Sequence, residues 1–251
     1  MGLRRFLKNF FYKKKFEKKK YINNLSGQKI LITGCNSGIG LALTKELLKS
    51  GNYVFGVVKQ NSTNISKIKS SNLKIITCDL RKIENYDQIE KNLKNIKIDV
   101  VFNCAGMFGG SSDEQSIKGF EIGKLNDVLM TNSLSVILIT KIILKNSKPK
   151  VIVNFSSDAG SIKLNKGGDY YYYRISKTAL NSLTKNMSLD LNGKFGTTVF
   201  SVDPGNVATN MNPGGIIESE KCAKLILDLI SDSDKELNGK FVNLLGDEIP
   251  W

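Results

Sequence analysis

From Gln28 onward the chain alternates short apolar runs with longer stretches in which apolar residues recur every three or four positions. The runs Lys29–Thr33, Tyr53–Val58, Leu73–Cys78, Val100–Asn103, Val151–Phe155, Thr198–Val202 and Phe241–Leu245 are rich in Val, Ile and Phe. That is the pattern of strands buried on both faces. Helical periodicity covers about 38–50, 83–95, 121–146, 171–193 and 218–232, while 59–72 is polar and ambiguous. Strand–helix alternation in this rhythm predicts an α/β fold. It is a doubly wound parallel sheet of about seven strands with helices on both faces, in the order 3-2-1-4-5-6 with a seventh strand at the edge. No repeat of solenoid period is present, and no second domain is expected.

The first 27 residues break this rhythm. Leu3, Phe6, Leu7 and Phe10 recur at helical spacing with Arg4, Arg5 and Lys8 between them. The segment reads as a basic amphipathic helix that lies on an anionic membrane surface, or else as a solvated tail. Its apolar run is too short to span a bilayer, no small-residue cleavage site follows, and position 6 lacks the Ser or Thr of a myristoylation signal. The first twenty residues hold nine basic residues and one acidic residue, which is +8 of the formal +14. The rest is only mildly basic, so no nucleic-acid partner is expected.

The composition of the chain narrows its chemistry. A length of 251 residues with 41% hydrophobic content suits one domain with a full core. The chain contains no histidine. Ser-His-Asp and Cys-His catalysis are therefore excluded, and an acid/base must be Tyr, Lys, Cys, Asp or Glu. The four cysteines form no CxxC pair, so no metal site is expected. Cys78 and Cys104 read as buried small hydrophobes, and a reducing, cytoplasmic compartment is the simplest setting.

The first strand runs into Thr33-Gly34-Cys35-Asn36-Ser37-Gly38-Ile39-Gly40 and then a helix. Glycines at 34, 38 and 40 allow a tight turn, close approach of backbone to a pyrophosphate, and close helix–strand packing. The helix N-terminus offers free N–H groups to phosphate. This is the arrangement of a Rossmann dinucleotide site, which makes residues 28–251 a dinucleotide-binding catalytic domain. The second strand ends at Val58-Lys59-Gln60, without the acidic residue that holds the ribose of NAD. Lys59 could meet a 2′-phosphate, which favours NADP over NAD. Asp79, followed by Leu80, is placed for the adenine.

Tyr173 and Lys177 lie at i and i+4 on one helix face. A cation beside a phenol should lower its pKa from about 10 and make it a usable acid/base. Ser156-Ser157, Asn103-Cys104-Ala105-Gly106 and Asp203-Pro204-Gly205-Asn206-Val207-Ala208-Thr209 follow other strands and converge on the same edge.

In order, TGCNSGIG, NCAG, Asn132 in MTNS, NFSSDAG, YRISK and DPGNVATNM resemble the short-chain dehydrogenase/reductase family, over about residues 28–251. The C-terminal Pro250-Trp251 is similar to that of its single-domain, carbonyl-reductase-like members. The resemblance implies hydride transfer between NAD(P)(H) and a small carbonyl or alcohol substrate. It gives Tyr173 the proton transfer to the substrate oxygen. Lys177 tunes Tyr173 and holds the nicotinamide ribose, Ser157 polarises the carbonyl, and Asn132 supports a water relay to Lys177. It places Asn36, Ser37, Gly38, Ile39 and Gly40 on the phosphates and Asn103, Ala105 and Gly106 beside the adenine ribose. Pro204, Gly205, Val207 and Thr209 flank the nicotinamide. The family also commonly forms dimers or tetramers through the helices at 121–146 and 171–193. Two departures stand out: Cys104 replaces a usual Asn, and Ser37 lacks the basic residue of many NADP-preferring members. The loop 210–217 is short for a substrate lid, so the site is either open or completed by another chain. Two other functions share these motifs, a cofactor-binding regulatory or scaffold protein with little turnover, and nonredox epimerisation or dehydration. The intact Ser157, Tyr173 and Lys177 favour the oxidoreductase.

Overall fold

The computed structural model of the chain describes residues 24–231 and 236–251. The amphipathic segment at 1–20 lies outside these residues. Seven strands, β1 (Lys29–Thr33), β2 (Tyr53–Val58), β3 (Leu73–Thr77), β4 (Val100–Asn103), β5 (Val151–Phe155), β6 (Thr198–Asp203) and β7 (Phe241–Asn243), form one sheet. Their order is β3-β2-β1-β4-β5-β6-β7 and every pairing is parallel. A parallel ladder needs a crossover for each pair, and right-handed crossovers place helices on both faces.

Successive strand residues therefore feed two separate cores. Ile30, Ile32, Val54, Phe102, Val153, Phe200 and Val202 point to one face. There they meet Leu43 and Leu47 of α1 (Gly38–Lys49) and Cys222, Leu225, Ile226 and Leu229 of α7 (Ser219–Ser231). Leu31, Phe55, Val101, Ile152 and Val199 point to the other. They meet α3 (Tyr86–Leu93), α5 (Ser135–Leu144) and α6 (Tyr171–Phe195). The polar stretch after β2 contains a single short helix, α2 (Thr63–Ser66), anchored by buried Ile65.

The long helical pattern in the middle of the chain is not uniform. It comprises α4 (Ile122–Leu129), a π-helical turn Met130–Leu134, and α5. Together Ile122–Leu144 is long and apolar enough to cross a membrane by length and composition. Val136, Ile139 and Ile143 are buried in the second core, which accounts for the apolar face of α5.

Several boundaries differ from the sequence reading, among them β3, which ends at Thr77, and β6, which runs to Asp203. Residues 83–85 form a 3-10 turn before α3. β7 stops at Asn243 because the Asn243 side-chain oxygen accepts the N–H of Leu245 and of Asp247, folding the chain into an Asx turn. α6 begins at Tyr171 as expected and runs on to Phe195, two residues past the pattern, where Gly196 with φ 69° closes the helix.

Candidate active site

A crevice of about 1050 Å³ runs along the C-terminal edge of the sheet. All seven strands feed it, through Gly34, Lys59, Asp79, Ala105, Ser157, Pro204 and Leu244 respectively. A parallel sheet brings all strand ends of one polarity to one side, so residues far apart in sequence meet there.

At one end lies the glycine-rich turn. A Cβ on Gly34 would sit 2.8 Å from the Ala105 Cα, and one on Gly40 would collide with the Gly34 carbonyl. Gly38 has φ +50°, which favours glycine. Ser37 precedes α1 without a side-chain cap, which leaves its side chain off the first-turn N–H groups. This backbone cradle fits a dinucleotide pyrophosphate.

At the adenosine end, Lys59 is largely exposed and its Nζ stands 4.0 Å from Asp79. Arg81 is a residue that the sequence reading missed. Its guanidinium grips Asp79 in a fork, Nε to Oδ1 at 3.0 Å and Nη2 to Oδ2 at 2.7 Å, and its Nη1 reaches Asp127 on α4 at 3.0 Å. The fork holds the Asp79 carboxyl down to about 2. Asp79 is therefore committed to Arg81, and Leu80 lines the crevice beside it.

The other end carries the chemistry. Lys177 is 4% exposed. Its Nζ donates to the Phe155 carbonyl at 2.6 Å and lies 5.6 Å from the centre of the Tyr173 ring. The helix comes close enough for this because Gly160 has no side chain, since a Cβ there would lie 2.9 Å from the Lys177 backbone. Ser157 accepts the Ala159 N–H at 3.1 Å and hydrogen-bonds the Tyr173 side chain. Beyond Tyr173 the wall is aromatic. The Phe108 ring lies 4.9 Å from that of Tyr173 and 5.3 Å from that of Tyr170. Asp169 and Tyr170 both have left-handed backbones, at φ 52° and 53°, and these turn the Tyr170 ring to Phe108.

The expected direction of the Tyr173 shift is corrected here. Burial pushes its pKa up, and the bond from Ser157 opposes this only in part. The carboxylates of Asp203 and Asp158 push the same way as burial, while Lys177 stands 5.6 Å from the centre of the ring. The same burial brings Lys177 down to about 8.

Two expected site residues stand behind the wall. Asn103 is buried and donates to the Asn154 Oδ1 at 2.8 Å, its register partner in β5. Its side chain therefore braces the sheet rather than lining the ribose side. Asn132 is buried in the π-turn and clasps Met107, accepting its N–H at 2.8 Å and donating to its carbonyl at 2.9 Å. Cys104, expected to be buried, instead lines the crevice and is partly exposed. The 210–217 loop folds back on itself, with Ala208 N–H donating to the Ile217 carbonyl at 2.8 Å. It forms a compact rim to the crevice.

A glycine cradle at one end and a Tyr, Lys and Ser cluster at the other define a nicotinamide-dependent oxidoreductase. The short chain dehydrogenase family model matches residues 28–215, and the chain belongs to that family. Farnesol dehydrogenase of Aedes aegypti is 29% identical over 206 residues, which are 77% of this chain and 82% of that one. The carbonyl reductase Sniffer of D. melanogaster superposes with a TM-score of 0.79 at 30% identity, over 90% of this chain and all of that one. The carbonyl reductase from chicken fatty liver, solved with NADPH bound, gives 0.77 at 25% identity, over 90% of this chain and all of that one. The chain is an NAD(P)-dependent oxidoreductase.

The buried ammonium sets a pH dependence. The charged form of Lys177 is held against desolvation, so in the free enzyme its charge is half lost near pH 8. The kcat/KM for cofactor, which reports the free enzyme, should fall as pH rises through about 8. Lys177→Arg keeps its charge and should flatten that limb in whatever activity it retains. A wild-type profile level from pH 7 to 9 would contradict this. Stability should move the other way. The unfolded lysine binds protons up to its ordinary 10.5, so stability rises between pH 8 and 10.5.

Proposed function

We propose that this chain is an NADPH-dependent reductase of apolar carbonyl compounds. The observation that carries the reading is the placement of Tyr173 beside Lys177 and Phe108, with Ser157 on the same wall, at the end of the crevice opposite the glycine cradle. A phenol is protonated at neutral pH, the form in which it can give a proton to a carbonyl oxygen. Ser157 bonds the carbonyl oxygen and orients it, and the Tyr173 hydroxyl gives that oxygen its proton. Lys177 steadies the phenolate left behind and holds the nicotinamide ribose, and Asn132 anchors the loop at Met107 and serves the relay that reprotonates Tyr173. When bound, the reduced nicotinamide supplies the hydride. Gly34, Asn36, Ser37, Gly38, Ile39 and Gly40 hold the pyrophosphate and Lys59 the 2′-phosphate. Asp79 and Leu80 border the adenine, Ala105 and Gly106 its ribose, and Pro204, Gly205, Val207 and Thr209 flank the nicotinamide.

The substrate class follows from the lining. Met107, Phe108, Tyr170, Met211 and Ile216 line the crevice, with the Phe108 ring against those of Tyr173 and Tyr170. Such a wall suits an apolar body with one carbonyl. The name farnesol dehydrogenase, carried by a relative, points to an apolar alcohol as well.

Tyr173→Phe should lower kcat by about 10²-fold or more while the NADPH Kd stays near the wild-type value. Unchanged turnover would end the assignment. Lys59→Asp should reduce the preference for NADPH over NADH by about tenfold or more, read as the ratio of kcat/KM values. An unchanged ratio would remove Lys59 from the 2′-phosphate.

Self-association is supported by exposed Leu134, Ile137, Ile175 and Leu189 on α5, α6 and the turn before α5. A cytoplasmic location at a membrane surface is supported by the basic amphipathic pattern of residues 1–20. Light scattering of the full chain, alone and with vesicles containing anionic phospholipid, addresses both. A dimer or tetramer mass is expected, with vesicle binding lost on removal of residues 1–22. A monomer mass, or equal binding without those residues, would overturn the respective statement.

A further inference from the structure

The helix that carries Tyr173 has no side-chain cap of its own at its N-terminus. A helix leaves its first N–H groups without partners, and a side chain at the N-cap normally accepts from the second or third. Tyr170 precedes α6 with a left-handed backbone and makes no side-chain cap. Tyr173 is the third residue of α6, so its own N–H is one of those that need an acceptor.

One residue from a distant loop meets this need. The Tyr171 N–H donates to the Gln115 carbonyl at 3.1 Å, and the Tyr173 N–H donates to Gln115 Oε1 at 3.1 Å. Gln115 is 0% exposed and lies 58 positions before Tyr173. The other end of its amide is also tied, with Nε2 donating to the Gly110 carbonyl at 3.0 Å. A buried amide satisfied at both ends has one orientation available to it.

We propose that Gln115 is a positioning residue for Tyr173. It supplies the helix cap from the loop between β4 and α4, so order in that loop sets the pose of the phenol. The same loop grips the tyrosine run at every position. Phe108 packs on the rings of Tyr170 and Tyr173, and Phe120 meets Tyr171 edge-on at 6.4 Å. The Tyr172 hydroxyl accepts the Glu121 N–H at 2.6 Å and donates to the Gly119 carbonyl at 3.1 Å. Four consecutive tyrosines are thus four anchor points between one loop and one helix. Of the loop's contacts, only that of Gln115 acts on the Tyr173 backbone, whose carbonyl accepts the Ser176 hydroxyl within the helix itself. A displacement of about 1 Å at a reacting group costs as much as about 10²-fold in rate, so the cap bears on turnover and leaves the cofactor end untouched. The proposal rests on Tyr173 being the acid/base.

The test compares Gln115→Met, which keeps the length and removes the acceptor, with Tyr172→Phe. The second variant cuts two hydrogen bonds of the same loop and none to Tyr173. Reduction of 4-nitrobenzaldehyde by NADPH gives kcat and KM, fluorescence titration gives the NADPH Kd, and amide hydrogen exchange reads the first turn of α6. In Gln115→Met, kcat should fall by about tenfold or more. Its KM and NADPH Kd should stay within about threefold, and exchange should quicken over residues 171–174 while the rest of α6 stays protected. Tyr172→Phe should lose thermal stability yet keep kcat within about threefold of wild type. Full kcat in Gln115→Met, or an equal loss in Tyr172→Phe, would reduce Gln115 to a structural residue. Unchanged exchange at 171–174 would overturn the cap itself, whatever substrate is used. Turnover by Tyr173→Phe would defeat the acid/base reading separately, since the exchange result does not depend on it.

Discussion

A lysine ammonium buried to 4% exposure is the constraint around which this site is organised. Moving a charge out of water is costly unless a partner waits for it. Lys177 finds the Phe155 carbonyl, at the C-terminal end of β5. For the ammonium to reach it, α6 must lie close against the turn after β5, and Gly160 permits that approach. The turn in turn presents Ser157 to Tyr173. Spacing of the strand end, the turn and the helix is thus set by one cation and one carbonyl.

Beneath the crevice floor a polar chain braces the same strands. Asn103 donates to Asn154, Asn154 to the Thr184 hydroxyl at 2.9 Å, and the Ser201 hydroxyl to Thr184 at 2.8 Å. Each link joins a neighbouring element, from β4 to β5, from β5 to α6, and from β6 to α6. Buried polar groups paired in this way rigidify what they connect, and here they fix the edge on which the acid/base group stands. The family's Asn at position 103 is thereby a structural member, although it sits one residue from the crevice lining.

The fold was legible because its strands are buried on both faces and their Val and Ile runs stand out from the helical periodicity. That the glycine turn, Ser157, Tyr173 and Lys177 would meet at one edge was legible because a parallel sheet delivers all strand ends to one side. Features that arise from tertiary contacts were not. Arg81 draws its place from Asp79 and from Asp127, 46 residues further along the chain. Gln115 carries no local signal, since its role depends on a helix 58 residues away. The shift at Tyr173 was misread because an i, i+4 cation is visible in a sequence and desolvation is not.

The π-turn at Met130–Leu134 changes how the central helix must be counted. From Val128 to Ile143 the buried positions advance fifteen residues in four turns, which is about 3.75 per turn against the usual 3.6. α4 and α5 are therefore two helices of different phase sharing one axis, and Asn132 stands at the splice. At this splice, losing a residue would restore an ordinary helix and leave Val128, Val136 and Ile139 on their present faces. The same loss one turn further on, within α5, would turn everything beyond it by about 100° and carry Ile143 off the sheet.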